Sequence, residues 1–350
     1  MLAARPASRV AGPLFWVTIK KQVVSRVIDQ AALEQFDEHG YVVVRDVLDW
    51  DLDLVPVYDE YSALLNQLSD GWINEGRLSS SYSELPFTER IIKVVTEARR
   101  PYDQAFDISL PQAEVQYDTP IHNGQATFNL LKSPRLLDAV EKFIGPEIYS
   151  NPVQHTRMKL PESLLPDEAR TGLTAQIAWH QDLGVILPEA DKMDILTVWF
   201  PMTDANEENG CLAVVPGSHK QWLHTHCRSA NELVLNQVCI PDKHVGENRV
   251  PLPMKSGDVL FMHRCTRHAG LENKSDRVRW SFDLRYQRIG EPTGRPWFPG
   301  FVARSQKSPE SVLTSVEEWA QRWREARAIL AANGTNVSFN RWTNNEPICA

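Results

Sequence analysis

The chain has 350 residues, of which 42% are hydrophobic and 23% charged, and a formal net charge of −8. That composition supplies a sizeable core, and with no basic excess to neutralise phosphates a general nucleic-acid binder is excluded. No apolar run approaches the roughly 20 residues that span a bilayer, so no membrane partner is expected.

The five cysteines are scattered and form no C-x-x-C pair, which suggests neither a zinc ribbon nor a disulfide framework. A reducing, cytoplasmic setting is the simple expectation. Residues 1–28 hold no acid but carry Arg5, Arg9, Lys20, Lys21 and Arg26. They read as a solvated leader or an extra edge strand, with a weak organellar transit peptide as the alternative.

Residues 29–350 read as a single domain. Asp29 can cap a helix with Ala32, Leu33 and Phe36 at helical spacing and Gly40 as its stop. The β-branched run Tyr41-Val42-Val43-Val44 then predicts a buried strand. Charges and aromatics crowd residues 72 to 120, a candidate lid or substrate loop. A helix is predicted over Ser133 to Ile144, with Pro134 in its first turn and Gly145 after its end.

From about 148 to 290, short apolar runs alternate with turn clusters, among them Asp204–Gly210, Pro216-Gly217-Ser218 and Lys255-Ser256-Gly257. That rhythm indicates an all-β barrel or sandwich. Ser308 and Pro309 then open a predicted helix, about 309–333, that lays Val312, Val316, Trp319, Trp323 and Leu330 along one side and ends at Asn333-Gly334. The fold class expected is mainly β with flanking helices.

Of the ten histidines, only His180 has an acid two positions on, Asp182. At a strand end both would point to one face. Gln176 shares that parity and is a substrate-contact candidate. A third ligand has to come from a distant strand, and the segment Gly257 to His268 offers His263 and His268. Two imidazoles and a carboxylate on one face suit non-haem iron(II), which needs open positions for co-substrate and dioxygen. A closed tetrahedral zinc site would use other ligand sets. A keto-acid co-substrate such as 2-oxoglutarate also needs a cation for its far carboxylate, and arginine's planar fork meets one with two hydrogen bonds. Arg279, Arg277 and Arg285 are the candidates on the following strand. His155, Arg157 and Lys159 alternate along another strand and share a face, lining a pocket or forming a solvated stripe. His224 and His226 lack a carboxylate partner and read as a surface loop.

The joint pattern resembles the phytanoyl-CoA dioxygenase family. It comprises His180-Gln181-Asp182, Asn209-Gly210-Cys211-Leu212 with Pro216-Gly217-Ser218-His219, Gly257-Asp258, and His268, Asn273 and Arg279. Gly40-Tyr41-Val42-Val43-Val44 also fits, and the likeness runs from about 30 to 290. In that family the distal ligand lies eleven residues after the glycine of the Gly-Asp pair, and the arginine eleven further on. Gly257, His268 and Arg279 keep both steps, which leaves His263 as a non-ligand.

The resemblance implies a double-stranded β-helix (jelly roll) and the metal ligands His180, Asp182 and His268. It implies Fe(II), 2-oxoglutarate and O2 as cofactors, with ascorbate as an optional reductant, and Arg279, Trp199 and Arg157 at the co-substrate. Trp280 is a second candidate wall of the pocket, and His155 and Lys159 are further substrate-contact candidates. One departure stands out: many relatives carry Ser where this chain has Gly270. The implied reaction hydroxylates a small organic substrate and releases succinate and CO2. The alternatives are another oxidation on the same scaffold (desaturation, epimerisation, ring formation or endoperoxidation) or a non-catalytic cupin-like binding protein. Asp182, a carboxylate, favours hydroxylation over halogenation. A homodimer is an allowed assembly.

Overall fold

The computed structural model describes residues 28–171, 177–229, 237–334 and 337–349. The expectations for residues 1–27 and for Gln176 therefore lie outside the described residues.

Asp29 caps α1 (Gln30–His39) by accepting the Ala32 N–H at 3.0 Å. Gly40 ends the helix at φ +78°, a backbone region that glycine enters without steric cost. The chain turns directly into β1 (Tyr41–Val44), all four residues of which are buried. Helices α2 (Val55–Asn74), α3 (Phe87–Ala98), α4 (Asp103–Phe106), α5 (Gln125–Leu131) and α6 (Pro134–Ile144) follow.

The β region comprises β2 (Ile148–Lys159), β3 (Ile177–His180), β4 (Leu196–Pro201), β5 (Leu212–Val214), β6 (Cys227–Arg228) and β7 (Val238–Cys239). It continues through β8 (Val250–Leu252), β9 (Val259–His263), β10 (His268–Gly270), β11 (Arg279–Arg288) and β12 (Phe301–Arg304). One sheet runs β1-β9-β4-β11-β2-β12, a second β3-β10-β5-β8, and β6 pairs with β7. Every strand pair is antiparallel. This is the expected jelly roll with flanking helices, and its main sheet also takes in β1 and β12 from outside the 148–290 stretch.

Alternation along β11 sorts the two faces of the large sheet. Trp280, Phe282, Leu284 and Tyr286 enter the main core with α2 and α3, where Trp280 packs on Tyr58, Tyr61 and Phe87. Trp280 therefore does not wall the pocket, contrary to expectation. Its neighbours Arg279, Ser281, Asp283 and Arg285 take the opposite face.

The last long helix, α7 (Val316–Asn333), starts later than the sequence suggests. Ser315, not Ser308, is its cap, accepting from the Glu318 N–H, and Pro309–Ser311 forms only a short 3-10 turn. Its face of Trp319, Trp323 and Leu330 is buried against Phe128, Phe298 and Phe301. Beyond it the tail crosses back to β6, and Cys349 is disulfide-bonded to Cys227, 122 residues away, with their Cα atoms 5.4 Å apart. The expectation of no disulfide is corrected here. The pairing arises from the path of the tail, which spacing in the sequence does not encode.

Candidate metal centre

Strand β3 ends at His180 and Asp182 opens a 3-10 turn, so the two do not share a strand as expected. Gln181 between them is nevertheless extended (φ −121°, ψ 139°), and the two-residue alternation carries through. Gln181 points the other way, fully buried, and binds the carbonyls of Trp222 and Cys265. Its backbone N–H donates to His226 Nε2 at 2.9 Å. His226 is itself buried and stacked on Trp342, so it is no surface loop but a clamp behind the His180–Asp182 turn. A Cβ on Gly184 would lie 2.2 Å from that imidazole, so the close approach requires glycine.

His268 on β10 sits opposite His180 in register, with ring centroids 4.2 Å apart. Each Nε2 lies 3.8 Å from Asp182 Oδ1, and one donor atom from each of the three residues falls within 4.8 Å of the others. His180 Nδ1 donates to the Ala178 carbonyl at 2.8 Å, and His268 Nδ1 to the Thr266 carbonyl at 3.0 Å. Those bonds select the tautomer that leaves both Nε2 lone pairs facing Asp182. Burial, together with the neighbouring His268, holds His180 well below the usual histidine range, keeping it neutral as a ligand must be. His263 ends β9 elsewhere, accepting from the Cys265 N–H and facing His219.

Asp182 is held at both oxygens, by the Thr197 hydroxyl and by Arg285 Nη2 at 2.6 Å. Burial opposes its charge, but the Arg285 guanidinium outweighs it and keeps the carboxyl below its usual range. Arg285 is 4% exposed and also pairs with Asp283 at 3.1 Å. It is a buried bridge between two carboxylates, not a free cation for the co-substrate.

A cavity of about 510 Å³ lies between the sheets over this cluster. From the large sheet come His155, Arg157, Trp199, Arg279, Asp283 and Arg285; from the small one, Ile177, Ala178, His180, Leu212, His268 and Gly270. Residues Leu110 to Glu114 of the suspected lid segment form another wall. Arg279 is 1% exposed and, among the described residues, bonds only neutral partners, the Gly210 carbonyl and the Ser281 hydroxyl, with the Trp199 ring 5.9 Å away. Burial and the nearby Arg157 lower its guanidinium to about 10. Arg157 Nη1 is buried with no hydrogen-bond partner among the described residues. Arg277 is exposed and pairs with Glu208.

His155 faces the cavity with its Nδ1 on Asp107 at 2.7 Å. Lys159 does not line the cavity: Nζ is tied to the carbonyls of Gly270 and Leu271 at 3.2 and 2.8 Å. Its alternation put it on the right face, but the small sheet covers it. That Nζ would lie 3.3 Å from a Cβ on Gly270, so it fills the space a serine side chain would enter there. Thr197, Arg285 and His226 were missed as supporting residues, and no local motif marks them.

The donor set fits a divalent metal with open positions: two imidazoles, one carboxylate and no fourth protein ligand among the described residues. The orphaned Arg157 and the neutrally bonded Arg279 fit an anionic chelator beside it.

The sequence model of the family described as "Phytanoyl-CoA dioxygenase (PhyH)" matches residues 36–281. The chain is similar to the peroxisomal phytanoyl-CoA dioxygenase of Bos taurus, 26% identical over 260 residues covering 73% of this chain and 68% of that one. It is also similar to the 1-deoxypentalenic acid 11-beta-hydroxylase of Streptomyces arenae, 27% identical over 305 residues covering 84% and 94%. Among solved structures, the apo form of the non-heme monooxygenase ThoJ shares the fold (TM-score 0.51, 16% identity, covering 86% and 98%).

Proposed function

As a member of the phytanoyl-CoA dioxygenase family, to which it belongs, this chain is a 2-oxoglutarate-dependent non-haem iron dioxygenase, and we propose that it hydroxylates a small organic substrate with His180, Asp182 and His268 as its iron ligands. One observation carries the reading. The His–Asp–His cluster opens into the same cavity as a buried guanidinium, Arg279, that no carboxylate among the described residues neutralises.

Held by His180, Asp182 and His268, ferrous iron would activate dioxygen, the oxidant, with 2-oxoglutarate oxidised to succinate and carbon dioxide as co-products. The protein's share is positional. The carbonyls of Ala178 and Thr266 hold the two imidazoles in their metal-binding tautomer. Thr197 and Arg285 hold Asp182 ionised and oriented. Arg279 and Arg157 take the carboxylate of the co-substrate, with Trp199 as a wall beside them. Val153, Ile177, Ala178 and Leu212 give the cavity an apolar lining that keeps bulk water from the reacting C–H bond.

The test is a panel of small organic compounds with Fe(II) and 2-oxoglutarate, reading succinate and product mass. Wild-type protein is expected to add one oxygen to its substrate, and Asp182→Ala to fall to background. Full turnover by Asp182→Ala would remove the iron assignment, and a product lighter by two hydrogens would replace hydroxylation with desaturation.

A further inference from the structure

The cavity holds a fourth arginine, which neither the co-substrate nor Asp182 uses. Arg295, in the loop between β11 and β12, is 1% exposed and lines the cavity beside Val185 and Phe339. Nη2 donates to the Val185 carbonyl at 2.5 Å, the guanidinium lies 5.4 Å from the centroid of the Phe339 ring, and Nη1 has no partner among the described residues. Two of the cavity's acids are engaged elsewhere, Asp107 on His155 and Asp283 on Arg285, while the third, Glu114, is exposed on the Leu110–Glu114 wall and forms no ion pair with Arg295 among the described residues. A buried charge without a counter-ion is costly, and such a group persists where a ligand completes it.

Arg295 is also placed apart from the co-substrate arginines. Arg279 begins β11, whereas Arg295 reaches the turn that follows Asp182, next to Arg285. The six residues from Arg279 to Arg285 span roughly 20 Å of strand. Among the described residues, Arg279 and Arg157 thus stand without a carboxylate partner toward one end of the cavity and Arg295 toward the other, and Val153, Val185, Leu110 and Phe339 are among the apolar residues that line it. We propose that Arg295 is the receptor for a carboxylate on the primary substrate, which makes that substrate an apolar body bearing one acid group. The proposal rests on the oxygenase reading of the same cavity.

The test is anaerobic calorimetry on the full chain loaded with Fe(II) and saturating 2-oxoglutarate. The probes are 4-phenylbenzoate and its neutral isostere 4-phenylbenzamide. The acid is expected to bind at least tenfold more tightly than the amide. Arg295→Gln should bring the acid down to the amide's affinity, and Arg295→Lys should keep part of the preference. Equal affinities, no binding of the acid, an acid preference unaffected by Arg295→Gln, or displacement of 2-oxoglutarate by the acid would each overturn the proposal, the last by placing the acid on Arg279. Uptake of 2-oxoglutarate is measured in the same samples, and both variants should retain it. A wild-type protein that takes up none breaks the oxygenase reading itself and this proposal with it.

Discussion

Arg279 and Arg285 stand on the same strand, face the same side and are almost equally buried, yet their surroundings differ in kind. Arg279 has a carbonyl, a hydroxyl and an aromatic ring, and burial lowers its guanidinium to about 10. Arg285 is also penalised by burial, but Asp182 and Asp283 outweigh the penalty and raise it above the usual arginine range. Residue type and burial therefore do not decide a buried arginine's role; what neutralises it does. The saturated guanidinium fixes a neighbouring carboxylate, while the neutrally bonded one holds charge ready for an anion that arrives from solution.

Substitutions at the two ends should separate these roles. Arg279→Leu removes charge-assisted bonds worth on the order of 1.5–3 kcal/mol. The KM for 2-oxoglutarate should rise by about 10- to 100-fold while iron affinity stays near wild type. An unchanged 2-oxoglutarate dependence would move the clamp to another cation. Arg285→Gln should do the reverse, weakening iron binding by roughly tenfold or more through Asp182 and sparing the 2-oxoglutarate KM. Iron titration of apoprotein reads that outcome directly, and a 2-oxoglutarate defect in this variant would erase the contrast.

The smallest effect concerns the clamp behind the metal turn. Burial lowers His226 to about 4, so the folded protein keeps it neutral, whereas an unfolded histidine titrates near 6.5. Between those values the unfolded chain binds more protons. This contribution is therefore complete above about pH 6.5 and is lost as pH falls toward 4. From pH 7 to 5.5 the loss is about 1 kcal/mol. Denaturant titrations at both pH values should show a pH-dependence smaller by that amount in His226→Gln, and an identical dependence would assign the acid lability to other groups.

How much of this is legible in the chain depends on distance along it. His180 and Asp182 are two residues apart, and an extended Gln181 places them on one face whether the strand continues or turns. Gly257, His268 and Arg279 are recognisable by their spacing, and Arg279 does reach the cavity. The same alternation, applied strictly, turns Trp280 away once Arg279 faces in, and the large sheet obeys it. Alternation could not show that Lys159, on the cavity face of β2, is capped by carbonyls of the opposite sheet.

The amino-acid order by itself determined the family, the jelly-roll class and the local pairings that need only strand geometry. Tertiary structure alone decided that Arg285 meets Asp182 across 103 residues, that Cys349 meets Cys227 across 122, and that Arg295 has no counter-ion among the described residues. The physical reason is that a charge's state depends on every group packed around it. Those groups come from strands whose register and neighbours are set by the whole sheet.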